Sequence, residues 1–288
     1  MLIDGKIIAM QVQQEIKQGL ANITGRKPCL AVILVGDHPA SEIYVDRKAK
    51  ACAEVGILSL KKQLPKSTTE AALISEIEAL NADNSVDGIL VQLPLPEQIN
   101  PINIIHRISP AKDVDGLHPE NVGKMLIGEQ SGFIPCTPLG IKVLLERCNI
   151  EVAGKHVVIL GRSNLVGKPT AAILMQNTLG GNATVTVAHS RTANLAALCR
   201  MADILIAAIG QPRFVTAEMV KDGAVVVDVG INKIEDKSRS VGYQIVGDVD
   251  FETVKDKCAY ITPVPGGIGP MTIAMLLSNT LKSYLNRR

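Results

Sequence analysis

Three short stretches of this chain carry residues able to move protons or hold a charged ligand. Tyr44 and Lys48 stand four apart in Tyr44-Val-Asp-Arg-Lys48, so on a helix they lie one above the other on the same face. A lysine with apolar surroundings has its pKa lowered by desolvation and carries protons near neutral pH. Gln92 closes the apolar run Asp87-Gly-Ile-Leu-Val-Gln92-Leu-Pro-Leu-Pro96, and the prolines stiffen its exit. The turn Lys112-Asp113-Val-Asp115-Gly116-Leu-His118 gathers two carboxylates and a histidine. A carboxylate such as Asp115 can accept two hydrogen bonds at once from a ligand edge of neighbouring N–H donors. Each residue also has a plainer account. Lys48 can be a surface lysine beside Glu42 and Asp46, Gln92 a satisfied buried amide and Asp115 a turn-former.

A second kind of chemistry belongs to Val157-Val-Ile-Leu-Gly161-Arg-Ser-Asn-Leu-Val-Gly167-Lys-Pro169, where an apolar strand feeds a glycine-punctuated turn and a helix start. A helix that begins there turns free amides toward an anion. The spacing is G-x-S-x-x-x-G and not G-x-G-x-x-G, so an ordinary strand-to-helix turn explains this run equally well. The next strand ends His189-Ser190-Arg191-Thr192. A carboxylate about twenty residues past the glycine loop suits NAD, and a basic residue suits the 2′-phosphate of NADP. Ser190, Arg191 and Arg162 therefore favour NADP, against the alternative of a solvated basic loop.

The elements that must position these groups alternate. Ile8, Val12, Ile16 and Leu20 share one helical face, and Cys29–Val35 is a continuous apolar strand followed by a helix to Val55 that carries Tyr44 and Lys48. A strand over Ile57–Leu64, a capped helix from Thr68 to Leu80 and a strand ending at Gln92 follow. Ligands of open parallel sheets lie beyond the carboxyl ends of the strands, where Gln92 falls. A domain junction is expected around Pro135-Cys-Thr-Pro138. Beyond it come a helix after Pro169 through Leu179, strands at Ala183–Ala188, Ile204–Ile209 and Ala224–Asp228, a helix over Ala193–Met201, a polar loop or hairpin over Lys233–Tyr243, and a terminal apolar helix. The expected fold class is α/β in two domains. Residues 1–138 plus a C-terminal helix over 270–288 form an α/β domain with a mostly parallel sheet, and 139–269 a Rossmann-like NADP-binding domain, with a cleft between them.

Composition removes other classes. With 288 residues, 47% of them hydrophobic, the chain can bury two cores. A formal charge of +2 and aromatic content of 2% give neither a field nor a stacking platform for nucleic acid. No apolar run reaches membrane-spanning length and Met1-Leu-Ile-Asp4-Gly-Lys6 lacks the core of a signal peptide, so a cytoplasmic protein is expected. The six cysteines are scattered, which leads us to expect reduced thiols and no metal.

Taken in order, these motifs resemble the bifunctional methylenetetrahydrofolate dehydrogenase/methenyltetrahydrofolate cyclohydrolase family almost end to end. The resemblance is carried by Tyr44-Val-Asp-Arg-Lys48, Asp87–Pro96, Lys112–His118, Pro135-Cys-Thr-Pro138, Gly161–Gly167, Asp228-Val-Gly-Ile-Asn232 and Pro263-Val-Pro-Gly-Gly-Ile-Gly-Pro-Met-Thr272. It implies oxidation of 5,10-methylenetetrahydrofolate with NADP, then hydrolysis of the methenyl cation to 10-formyltetrahydrofolate. It further implies that Lys48 is the principal catalytic residue, that Tyr44 stacks near the folate, that Gln92 tunes Lys48 and that Asp115 anchors the pterin. Leu93, Pro265, Gly266 and Gly269 would line the folate site. Gly161, Arg162, Ser163, Ser190, Arg191 and Ile231 would hold NADP, and a homodimer is expected. The alternatives are an NADP-dependent oxidoreductase of another small substrate and a non-catalytic dinucleotide-binding protein.

Overall fold

The four-residue spacing of Ile8, Val12 and Ile16 folds as α1 (Gly5–Ala21), with all three side chains buried. The apolar run after it becomes β1 (Cys29–Val35), buried along its whole length. A strand with no polar face can only sit in the middle of a sheet covered on both sides. β1 is so placed, parallel to β2 (Leu58–Leu64) on one side and to β3 (Gly88–Val91) on the other. Between them run α2 (Pro39–Val55), which Gly56 ends in the left-handed conformation at φ +94°, and α3 (Glu70–Ala82). Thr69 caps α3 by accepting the Ala72 N–H at 3.2 Å. Leu73, Ile77 and Leu80 of α3 pack on Ala31, Ile33 and Ile89 of the sheet. Two further helices, α4 (Pro101–Ile105) and α5 (Pro119–Ile127), follow β3.

The second sheet is built from β4 (His156–Leu160), β5 (Thr184–Ala188), β6 (Ile204–Ala207), β7 (Val225–Asp228) and the two-residue strand Tyr260–Ile261. Its order is Tyr260–Ile261, β7, β6, β4, β5, and every pairing is parallel. The chain leaves β4 for β5 on one side and returns to β6 on the other, so the order reverses beside β4, where the glycine loop emerges. The helix Cys136–Arg147 precedes β4, and Gly167–Leu174 and Leu195–Arg200 connect the strands. Of the loop or hairpin expected over Lys233–Tyr243, the structure has the hairpin, with antiparallel strands Asn232–Glu235 and Tyr243–Val246, and residues 239–241 lie outside the described residues.

The computed structural model describes residues 1–238 and 242–287. They form two units, Met10–Cys136 with Ile273–Arg288 and Met1–Ala9 with Thr137–Thr272. This differs from the sequence boundary at the N-terminus. Met1–Ala9 join the five-stranded unit because Leu2 bridges in parallel to Ile261 and the Ile3 N–H bonds the Ile261 carbonyl at 2.8 Å. The C-terminal helix, expected over 270–288, spans Ile268–Asn286, and its residues from Ile273 onward belong to the three-stranded unit. No helix among the described residues is long and apolar enough to cross a membrane.

Other boundaries moved for identifiable reasons. The helix after the glycine loop stops at Leu174 and not Leu179, because the Asn182 and Thr178 N–H groups both turn back to the Gln176 carbonyl. β6 stops at Ala207 and not Ile209, because the Ile209 and Gly210 N–H groups leave the ladder for the Asp248 carboxylate. The expected junction at Pro135-Cys-Thr-Pro138 is the start of a helix. Cys136 opens a helix whose first turn takes Pro138 without losing a needed N–H.

Candidate active site

Within the three-stranded unit the structure brings Lys48, Gln92 and Asp115 together. Lys48 sits on α2 and Gln92 just past β3, and the Lys48 Nζ donates to Gln92 Oε1 at 2.9 Å. Gln92 is itself fixed, its Nε2 donating to the Leu93 carbonyl at 2.7 Å. Lys48 is half-buried, and burial lowers its pKa, with the nearby Asp115 charge acting the other way. Tyr44, one turn earlier, is exposed, with the Arg47 guanidinium 6.0 Å from its ring centre. Leu93 is half-buried and, with Asp115, lines a recess floored by Leu90 and Leu117.

The turn with two carboxylates divides its labour. Lys112 is buried and its Nζ donates to the carbonyls of Leu80, Asn81 and Asp83, closing the C-terminal end of α3. Asp113 is buried and accepts from the His118 N–H at 2.7 Å and Asn121 Nδ2 at 2.8 Å. The turn-forming role weighed for Asp115 thus falls to Asp113, and Asp115 is left beside Lys48. Gly116 at φ +73° is obligatory, since a Cβ there would stand 2.7 Å from the Ile134 carbonyl carbon and the Pro135 nitrogen.

Two members of this group escaped the sequence reading. The Cys136 thiol is buried beside Asp115 and Lys48, and burial with the Asp115 charge pushes its pKa well up, so it stays a neutral thiol. Asn279, buried in the C-terminal helix, donates through Nδ2 to the carbonyls of Val114 at 2.9 Å and Ile134 at 3.1 Å and so braces the turn that carries Asp115. The available signal was an amide inside the otherwise apolar run Ala274-Met-Leu-Leu-Ser-Asn279.

The five-stranded unit carries the other set at the carboxyl ends of its strands. Gly161 follows β4 at φ +133°, and a Cβ there would strike the Ala208 carbonyl oxygen; one on Gly167 would strike the Gly161 carbonyl oxygen. The turn is therefore closed tightly by backbone alone, leaving the space a phosphate needs at a helix start. Ser163 has an internal duty as well, its Oγ accepting the Val166 N–H at 3.1 Å and the Gly167 N–H at 3.4 Å. Those two amides are consequently taken, and an anion at this turn meets the backbone of 162–165 and the exposed Arg162. After β5, His189 and Thr192 tie the turn through Thr192 Oγ1, which accepts the His189 N–H at 2.9 Å, and Ser190 and Arg191 are exposed. No carboxylate occupies this strand end. The closed glycine turn with cations at both strand ends fits a dinucleotide carrying an extra phosphate.

Ile231 follows β7 and is 52% exposed between Gly230 and Asn232. Gly269, in the first turn of the C-terminal helix, lies against it, since a Cβ on Gly269 would be 4.0 Å from Ile231 Cδ1. Pro265 is exposed and Gly266, at φ +115°, is buried near the Lys6 side chain, since a Cβ on Gly266 would stand 3.3 Å from Lys6 Cε.

Comparison with known proteins gives one consistent result. Residues 3–115 match the family description "Tetrahydrofolate dehydrogenase/cyclohydrolase, catalytic domain", and residues 135–288 match "Tetrahydrofolate dehydrogenase/cyclohydrolase, NAD(P)-binding domain". The chain is 64% identical over 284 residues to the Bifunctional protein FolD of Protochlamydia amoebophila, covering 99% of this chain and 97% of that one. The crystal structure of the bifunctional enzyme FolD from Campylobacter jejuni superposes with a TM-score of 0.93 at 51% identity, covering 100% and 99% of the two chains. That of the Trypanosoma brucei methylenetetrahydrofolate dehydrogenase-cyclohydrolase, complexed with NADP cofactor and inhibitor, superposes with a TM-score of 0.93 at 40% identity, covering 99% and 97%.

Proposed function

The chain belongs to the tetrahydrofolate dehydrogenase/cyclohydrolase family, and on that premise we propose that it oxidises 5,10-methylenetetrahydrofolate with NADP and hydrolyses the resulting methenyl cation to 10-formyltetrahydrofolate. The observation that carries this reading is the Lys48–Gln92 hydrogen bond of 2.9 Å next to Asp115, which places a desolvated amine beside a carboxylate able to hold a pterin edge.

NADP supplies the hydride acceptor. The chain's residues orient and shield: Gly161, Arg162, Ser163, Ser190, Arg191 and Ile231 hold the dinucleotide, and Asp115, Tyr44, Leu93, Pro265, Gly266 and Gly269 hold the folate. Hydride transfer between two held rings needs mainly positioning. In the hydrolytic step water adds to the methenyl carbon, and the new C–O bond forms as the neutral Lys48 amine takes the proton of the water. The C–N5 bond then breaks as the adduct's hydroxyl loses its proton to solvent and becomes the carbonyl, N5 receives the proton held by Lys48, and the formyl group remains on N10. Gln92 fixes the Lys48 amine in place and Asp115 fixes the pterin. Residues 10–136 with 273–288 form the folate-binding catalytic part, and 1–9 with 137–272 the NADP-binding part. A homodimer and a cytoplasmic location complete the proposal.

A coupled assay on purified protein tests it: methylenetetrahydrofolate with NADP generates reduced-nicotinamide absorbance, and NAD supports a slower rate. Absence of that absorbance with both nucleotides overturns the reading.

A further inference from the structure

The loops that follow β6 and β7 are tied to each other by two buried carboxylates that the proposed chemistry does not use. Asp228 ends β7 and is 3% exposed; Asp248 follows the strand Tyr243–Val246 and is fully buried. Asp228 Oδ1 accepts the N–H groups of Gly230 and Asp248, both at 2.9 Å, and its Oδ2 accepts that of Val249 at 2.9 Å. Asp248 in turn reaches back. Its Oδ2 accepts the N–H groups of Ile209 at 2.7 Å and Gly210 at 3.0 Å, and its Oδ1 accepts Asn232 Nδ2 at 2.8 Å. Thr262 anchors the far end through Oγ1, which accepts the Asp228 N–H at 2.8 Å.

Two features mark this as more than loop packing. Buried charge is costly, and two adjacent carboxylates compound the cost, which an apolar contact of similar volume avoids. Burial pushes the Asp228 pKa up to about 6 against its three backbone hydrogen bonds, with the Asp248 charge adding to the rise. The arrangement also excludes alternatives by shape. A Cβ on Gly230 would overlap Asp248 Oδ1, and one on Gly247 would overlap Asp228 Oδ2. What the clamp immobilises is the pair of residues on either side of the exposed Ile231, together with the exposed Gly210 at the end of β6.

We propose that Asp228 and Asp248 are positioning residues for the nicotinamide nucleotide, holding the loops after β6 and β7 so that Ile231 and Gly210 present one fixed surface to it. The inference rests on the function proposed above and adds residues that touch neither substrate. It predicts a split between the activities, because methenyl hydrolysis needs no nucleotide and relies on Lys48, Gln92 and Asp115.

The test is Asp248→Ala in the full chain. The KM for NADP rises about tenfold or more, while methenyl hydrolysis stays within about twofold of the parent. Asp248→Asn restores NADP affinity, because its oxygen still accepts from Ile209 and Gly210 and the Asn232 amide can rotate to accept its new N–H. An unchanged KM for NADP, a parallel loss of both activities, or an Asp248→Asn variant as impaired as Asp248→Ala overturns the proposal. Where Asp248→Ala does not fold, Asn232→Ala takes its place: a raised KM for NADP with unchanged hydrolysis supports the clamp, and an unchanged KM overturns it. Direct calorimetric titration with NADP reads the clamp without turnover. A parent protein that binds NADP yet oxidises no methylenetetrahydrofolate would therefore sink the proposed function and leave the clamp open to the same test.

Discussion

Gln92→Glu puts a carboxylate where an amide oxygen now accepts from the Lys48 Nζ. A negative partner favours the ammonium form, so the Lys48 pKa rises and less neutral amine is present at any given pH. Because that amine, in the proposed reaction, takes the proton of the attacking water, the rise of hydrolysis rate with pH moves upward and the rate falls severalfold below the shifted limb. Lys48→Ala removes the limb altogether. A pH–rate profile of methenyl hydrolysis checks both, and a limb that stays in place in Gln92→Glu assigns the proton to another group. At this scale the sequence was informative about identity but not about duty. Asp113 and Asp115 are indistinguishable in Lys112-Asp113-Val-Asp115, and only the position of the His118 N–H and Asn121 shows that the first is structural. Cys136 was legible as a buried thiol and not as a neighbour of Lys48, because that proximity is created by chain that returns from elsewhere.

Ser163 illustrates how one element is started by a residue that the proposed function also assigns to NADP. Its Oγ accepts the Val166 and Gly167 N–H groups at the start of the helix Gly167–Leu174. Ser163→Ala leaves them without that partner and costs about 1 kcal/mol. Urea unfolding reads this as a lowered midpoint at constant slope, accompanied by weaker NADP binding; an unmoved midpoint means that water replaces the hydroxyl without loss. Strands and helices with clean apolar periodicity, such as β1 and α1, were visible in the sequence because one face or both must be buried. The ends of elements were not. β6 stops where its N–H groups turn to Asp248, some forty positions away, and no local propensity contains that partner.

For the three-stranded unit as a whole, Asp87 is the residue that ties distant segments together. It is fully buried and accepts from Arg26 Nη1 at 2.6 Å and Nη2 at 2.7 Å, from the Cys29 N–H at 2.9 Å, and from Arg287 Nη1 at 3.3 Å. Asp87→Ala strands these donors and lowers stability by about 3 kcal/mol, discounted for the partial exposure of Arg26. Chemical denaturation followed by the loss of methenyl hydrolysis measures it, and a shift below about 1 kcal/mol would reduce the cluster to a surface ion pair. The C-terminal helix adds Ser283 Oγ, which donates to the Asp87 carbonyl at 2.6 Å, and the Tyr284 hydroxyl, which donates to the Arg26 carbonyl at 2.6 Å. Its Asn279 reaches Val114, 165 positions earlier in the chain. On a ribosome that gap is time. At about 5–20 residues per second, the segment bearing Lys48, Gln92 and Asp115 waits many seconds for the helix that braces it. Residues 137–272, most of the five-stranded unit, are translated in the interval and can fold first, so residues 10–136 are made before them and finished after them.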